Sequence, residues 1–196
     1  MSGLKLNYLV IVGAILAFIS IVLPWWTMTL SLPSDGVSAS IDASMYLYQV
    51  TVLGRSTGPG WYSWVALAFV VIGGIFGIVG SIVKHGKRLV AGGGVLALLS
   101  IIVYAAGLQL DLMQGTSEVA VFGIPGLGLF SSGTLTYGSV SLNYTSYLSF
   151  GFWLALVSAI VLFIAVRMHP REELVPPPPP PMPQQLPPEV PPPPGP

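Results

Sequence analysis

The stretch WYSWVALAFVVIGGIFGIVGSIVKHGKRLVAGGGVLALLSIIVYAAGL, residues 61–108, decides how the rest of the chain is arranged. It holds two apolar runs of membrane-spanning length joined only by Lys84, His85, Gly86, Lys87 and Arg88. A link that short permits only an antiparallel helical hairpin, and its cations favour the cytoplasmic side. The expected helices are about 61–83 and 89–108, and every other segment takes its side of the membrane from this pair.

Two further runs have the same character. Residues 4–23 contain no charge except Lys5, and at about 1.5 Å per residue twenty residues of helix reach about 30 Å, the thickness of the hydrocarbon core. A cleaved signal peptide fits less well: the run is long for one, and Pro24-Trp25-Trp26 follows it where small residues would mark cleavage. Residues 147–166 form the fourth run, followed by Arg167, His169, Pro170 and Arg171. Pro170 stops that helix, since proline lacks the N–H and clashes with the preceding turn. A mean hydropathy of +0.80 with 7% charged residues places the whole chain among integral membrane proteins. The partner implied first is membrane lipid, and nothing indicates nucleic acid.

The four helices each carry small residues at close-packing spacing: Gly13 and Ala17, Gly73, Gly77 and Gly80, Gly93 and Ala97, Gly151 and Ala155. In lipid such positions let backbones approach closely. Because every helix has such a face, packing within one bundle is preferred over homodimerisation through Gly73 and Gly77, and the oligomeric state stays open. Trp25, Trp26, Trp61, Trp64 and Trp153 sit near helix ends and are expected as interface anchors, where the ring is apolar and its N–H meets water or headgroups.

The segments 24–60 and 109–146 break the helical period. Thr27 to Leu32 alternates polar and apolar residues, and Ser38 to Leu53 does so in part. Two or three strands are expected there, turning at Pro33 to Gly36 and again at Gly54 to Gly60. In the second segment Val119 to Phe122 and Thr134 to Tyr144 read as strands flanking an apolar, breaker-rich stretch, Gly123 to Phe130. Asn143-Tyr144-Thr145 is an N-glycosylation sequon, with Asn143 the acceptor. The fold class is therefore an all-α membrane four-helix bundle, residues 1–166, with a small extracellular antiparallel β-sheet from both outer loops. Residues 167–196 form a cytoplasmic, disordered tail.

That tail holds Pro176, Pro177, Pro178, Pro179, Pro180 and Pro181, then Pro187 and Pro188, then Pro191, Pro192, Pro193 and Pro194. Such sequences form extended polyproline-II tethers, which aromatic-lined grooves bind. From Pro176 onward the tail could extend to roughly 65 Å. A cytoplasmic polyproline reader is the expected partner.

Orientation follows from charge. Lys5, Lys84, Lys87, Arg88, Arg167 and Arg171, six of the seven Lys and Arg residues, share one side. Both termini are then cytoplasmic, in a plasma or cytoplasmic membrane. Arg55 stands on the other side with Asp35, Asp42, Asp111 and Glu118. Those carboxylates match no calcium-loop spacing, and with His85 and His169 apart no metal is expected. Without cysteine there is no thiolate chemistry. No Asp, Glu, Lys, Arg or His lies centrally in a span, which disfavours a transporter. No nucleotide-binding or hydrolase motif occurs. No catalytic residue and no cofactor are expected.

Four spans, cytoplasmic termini, a tight cytoplasmic turn and Pro24-Trp25-Trp26 opening a strand-rich first outer loop resemble the claudin and peripheral-myelin-protein superfamily over residues 4–166. The resemblance is one of layout, because the family's paired loop cysteines are missing. It implies a non-enzymatic organiser, adhesion or scaffold protein whose outer loops contact membrane or extracellular proteins. The alternative is an accessory subunit of a larger membrane enzyme or channel complex.

Overall fold

A computed structural model describes residues 7–32, 40–83, 86–114, 124, 127–137 and 140–168. In chain order the elements are α1 (Tyr8–Val22), β1 (Trp26–Ser31), β2 (Ser40–Met45), β3 (Val50–Val52), β4 (Arg55–Thr57), α2 (Trp61–Ile82), α3 (Lys87–Gln114), β5 (Ser131–Tyr137), β6 (Val140–Leu148) and α4 (Phe150–Met168). Several expectations fall outside the described residues: Lys5 and the start of the first helix, the turn at 33–36, Lys84, His85, the strand at 119–122, His169, Arg171 and the proline tail.

Three helices, α2, α3 and α4, are long and apolar enough to cross a membrane, and α1 is a shorter apolar helix of 15 residues. The chain is accordingly a multi-pass membrane protein. The helices pack as a closed ring in which α2 meets α3 and α1, and α4 meets α1 and α3. Small residues set the approach. A methyl group added at Gly73 would lie 2.9 Å from the Gly93 carbonyl oxygen, and one at Gly93 would lie 2.6 Å from that of Gly73, so α2 and α3 touch backbone to backbone. Gly77 faces Ala14 of α1, Gly13 faces Leu162 of α4, and Ser158 Oγ donates to the Gly13 carbonyl at 2.7 Å across the α4–α1 contact.

The strands form one antiparallel six-stranded sheet in the order β4-β3-β2-β1-β6-β5. The first outer segment supplies four strands rather than two or three. Its central strand β1 pairs with β2 on one side and with β6, from the second segment, on the other, so Trp26 lies opposite both Met45 and Leu148. The two outer segments therefore build one sheet. A two-residue turn, Leu53-Gly54, closes the β3–β4 hairpin with φ of 51° and 74°. Hairpin turns with both central residues at positive φ match the strand twist, and a leucine in that conformation costs about 1 kcal/mol.

Element boundaries differ from expectation at two helices. α3 continues to Gln114 instead of ending near Leu108, because Gln109 and Asp111 end the apolar run without breaking the helix. At 28 residues it spans about 42 Å, more than the roughly 30 Å hydrocarbon core. α4 begins at Phe150, since Tyr147 belongs to β6.

Candidate functional site

The sheet is the part of the molecule with two distinct faces. Along β1 burial alternates strictly, with Trp26, Met28 and Leu30 inward. The register carries this alternation across the sheet, placing Met45 and Ala43 of β2, Val50 of β3, and Tyr144, Ser146 and Leu148 of β6 on the same inner face. Apart from Ser146, these side chains share one core with Tyr62, Leu108, Leu112, Phe152 and the segment residues Ile124 and Leu127. The outward positions are Thr27, Thr29 and Ser31 of β1, Ser40, Asp42 and Ser44 of β2, Thr51 of β3, Ser56 of β4, Ser132, Thr134 and Thr136 of β5, and Ser141, Asn143, Thr145 and Tyr147 of β6. All but Asp42, Asn143 and Tyr147 are serine or threonine. Such a face presents rotatable donors and acceptors.

An aromatic junction holds this sheet on the helix ends. Trp25 is fully buried, packed edge-on to Tyr104 of α3 at 5.0 Å and to Phe152 of α4 at 5.9 Å, and Tyr104 in turn meets Tyr62 of α2 at 5.8 Å. The Trp25 indole N–H donates to the Ser20 carbonyl of α1 at 2.8 Å, so one residue touches three helices. Backbone bonds add to it: Trp25 N–H donates to Met45, Ser149 N–H to Trp25, and Gly151 N–H to Pro24. The last of these satisfies a free N–H in the first turn of α4 without a side-chain cap. The end of α3 holds the segment before β5 and the start of α2: Gln109 Oε1 accepts from Leu129 N–H at 3.3 Å, and Asp111 Oδ2 accepts from the Tyr62 hydroxyl at 3.4 Å. Between β5 and β6, Ser146 Oγ lies 2.8 Å from Ser131 Oγ and 2.9 Å from the Gly128 carbonyl.

Trp25 and Trp26, expected as interface anchors, are both 0% exposed. They are enclosed by protein and meet no headgroups, because β1 starts at Trp26 and its period of two turns that ring beneath the sheet. Trp61, Trp64 and Trp153 keep exposed ring surface. Gly13, Ala17, Gly73, Gly77, Gly80, Gly93, Ala97, Gly151 and Ala155 are all buried. Gly151, however, faces the link residues Leu23, Pro24 and Trp25 rather than another helix. Lys87, Arg88 and Arg167 are exposed at the end of the bundle away from the sheet. Asn143 is exposed on the outer face and its Oδ1 accepts from Thr134 Oγ1 at 3.0 Å.

Sequence reasoning missed Tyr104 and Phe152, which read as ordinary span residues, and took Tyr62 as an interface residue beside Trp61 and Trp64, whereas it is buried. Only Asp111, a carboxylate just past an apolar run, signalled that α2 and α3 have a polar meeting point. No family model matches this chain, and no curated protein matches its sequence.

Proposed function

We propose that this chain is a non-enzymatic organiser of a cell membrane, in which the sheet lies outside and meets partner proteins while the proline tail recruits a cytoplasmic reader. The observation that carries this reading is the junction: both outer segments are joined into one sheet, fixed on the helix ends by fully buried Trp25 and Tyr104. A contact surface on so firmly seated a support needs little ordering when a partner binds. Among the described residues the outer face carries mainly hydroxyls, with Asp42, Asn143 and Tyr147 between them. Orientation rests on the cations, since Lys87, Arg88 and Arg167 gather at the opposite end and cytoplasmic ends carry the excess of Lys and Arg. The tail follows α4 at that same end, and its repeated proline runs have the composition that polyproline readers bind. Several weak sites on one strand then act together.

Affinity capture in mild detergent tests both halves. Truncation after Val175 is expected to leave the four-helix body inserted and to remove the cytoplasmic partners. Thr29→Lys with Thr145→Lys, both on the outer face, is expected to remove outer partners alone. An unchanged set of captured proteins for both variants refutes the proposal. Constant co-purification of the intact chain with one fixed set of catalytic or channel subunits would instead make it an accessory subunit.

A further inference from the structure

The two edges of the sheet are unequal. At one, β4 has three residues and carries Arg55, and short strands and long cations are common means of blunting an edge. At the other, β5 runs for seven residues, Ser-Ser-Gly-Thr-Leu-Thr-Tyr, without charge or proline. It pairs with β6 along its full length, and among the described residues no strand pairs with its far side. Ser132, Gly133, Thr134 and Thr136 are exposed. Among the described residues, β5 at about 3.3 Å per residue thus offers an open row of backbone donors and acceptors about 23 Å long.

We propose that β5 is a self-association edge: two copies of this chain pair β5 against β5 in antiparallel fashion about a two-fold axis, joining their sheets into one. The inference rests on the reading of the sheet as a contact element and names the partner. An antiparallel strand edge is complementary to its own copy, so a two-fold pair satisfies both edges with the same bonds. Nothing along β5 opposes this, since self-pairing sets each residue against one from the same strand and a charge would meet a like charge. The alternative route through the helices is closed. Gly73 is taken by Gly93 and Gly77 by Ala14, so the close-packing face that would dimerise a helix in lipid is used inside the bundle. Blunting of β4 limits growth to two copies, because β5 against β4 would be a head-to-tail contact that propagates.

The absence of cysteine makes the test direct. Full-length copies carrying a single cysteine at Ser132, Thr134 or Thr136 are mixed in pairs in mild detergent and oxidised. Antiparallel pairing predicts disulfides only between positions whose numbers add to one constant sum; a register centred on Thr134 gives 134 with 134 and 132 with 136, but neither 132 with 132 nor 136 with 136. Equal yields for all combinations, or no cross-linking at any of them, overturn the proposal. As a second measurement, Ser132→Lys with Thr136→Lys is expected to raise the dimer dissociation constant at least about tenfold, while Ser56→Lys on β4 leaves it unchanged. A wild-type chain that is monomeric by light scattering, yet still captures other proteins through its outer face, overturns self-pairing and leaves the contact role of the sheet standing.

Discussion

Tyr104 illustrates how much of this fold depends on single side chains. Its ring stacks edge-on against Trp25 and Tyr62, yet its hydroxyl, like the Trp26 indole N–H, is buried without a hydrogen-bond partner among the described residues. A buried unpaired polar group costs about 1–3 kcal/mol, whereas removing a large ring from a packed core costs about 3–5 kcal/mol. The two contributions can be separated by substitution. Tyr104→Phe is expected to keep or raise stability by up to about 1 kcal/mol, and Tyr104→Ala to lower it by about 3 kcal/mol or more. Denaturant titration of the detergent-solubilised protein, followed by tryptophan fluorescence, measures both, because Trp25 lies against the altered ring. A large loss in Tyr104→Phe would mean that the hydroxyl has a partner essential to the junction. The same residues mark a limit of sequence reading. Two tryptophans after an apolar run are interfacial when the chain stays in the headgroup region. Here Trp26, Met28 and Leu30 alternate with Thr27, Thr29 and Ser31, and that period was the available sign that Trp26 turns inward.

Among the elements, α2 and α3 make the closest contact, and it can be tested at neighbouring positions. Gly93 faces the Gly73 carbonyl, but Gly92 has only Phe76 near it, 3.5 Å from an added methyl group. Gly93→Ala must push the helices apart and is expected to cost about 1–3 kcal/mol. Gly92→Ala meets ordinary van der Waals distance and gains helix propensity, so it is expected to stabilise by about 0.5–1 kcal/mol. Thermal unfolding of the two variants in one detergent should give midpoints displaced in opposite directions from the parent. Equal effects would show that helix propensity rather than the α2–α3 approach governs both. The helices were legible because lipid demands long uninterrupted apolar runs, a strong signal at α2 and α4. Helix ends were less so: α3 outlasts its apolar run by six residues, where Gln109 accepts from Leu129 N–H just before β5 and Asp111 from the Tyr62 hydroxyl of α2, both while remaining helical. Strands were legible only in part: alternation marked β1, but Thr134 to Tyr144, expected as one strand, is divided between β5 and β6, and β4 lies where a turn was expected. Their union in one antiparallel sheet was expected from both outer loops, but which strands meet was not, because the β1–β6 pairing joins residues more than a hundred apart in sequence and no local pattern records it.

For the whole molecule, the asymmetry between the two ends of the bundle is the basis for its placement in a membrane. One end bears a sheet whose described residues hold the ionisable side chains of Asp42 and Arg55, with several tyrosines; the other exposes Lys87, Arg88 and Arg167. If retention of cations on the cytoplasmic side fixes orientation, the sheet must be outside. Single cysteines at Ser132 on β5 and at Lys87 on α3 read this out, since both positions are exposed and the parent chain has no cysteine to compete. In intact cells, an impermeant thiol reagent is expected to label Ser132→Cys and to leave Lys87→Cys unlabelled until the membrane is opened. Labelling of Lys87→Cys from outside, with Ser132→Cys protected, would invert the molecule. The proline tail would then be external, and a cytoplasmic polyproline reader could no longer be its partner. The result thus decides the orientation, and with it whether sheet and tail face the two compartments that the organiser role assigns them.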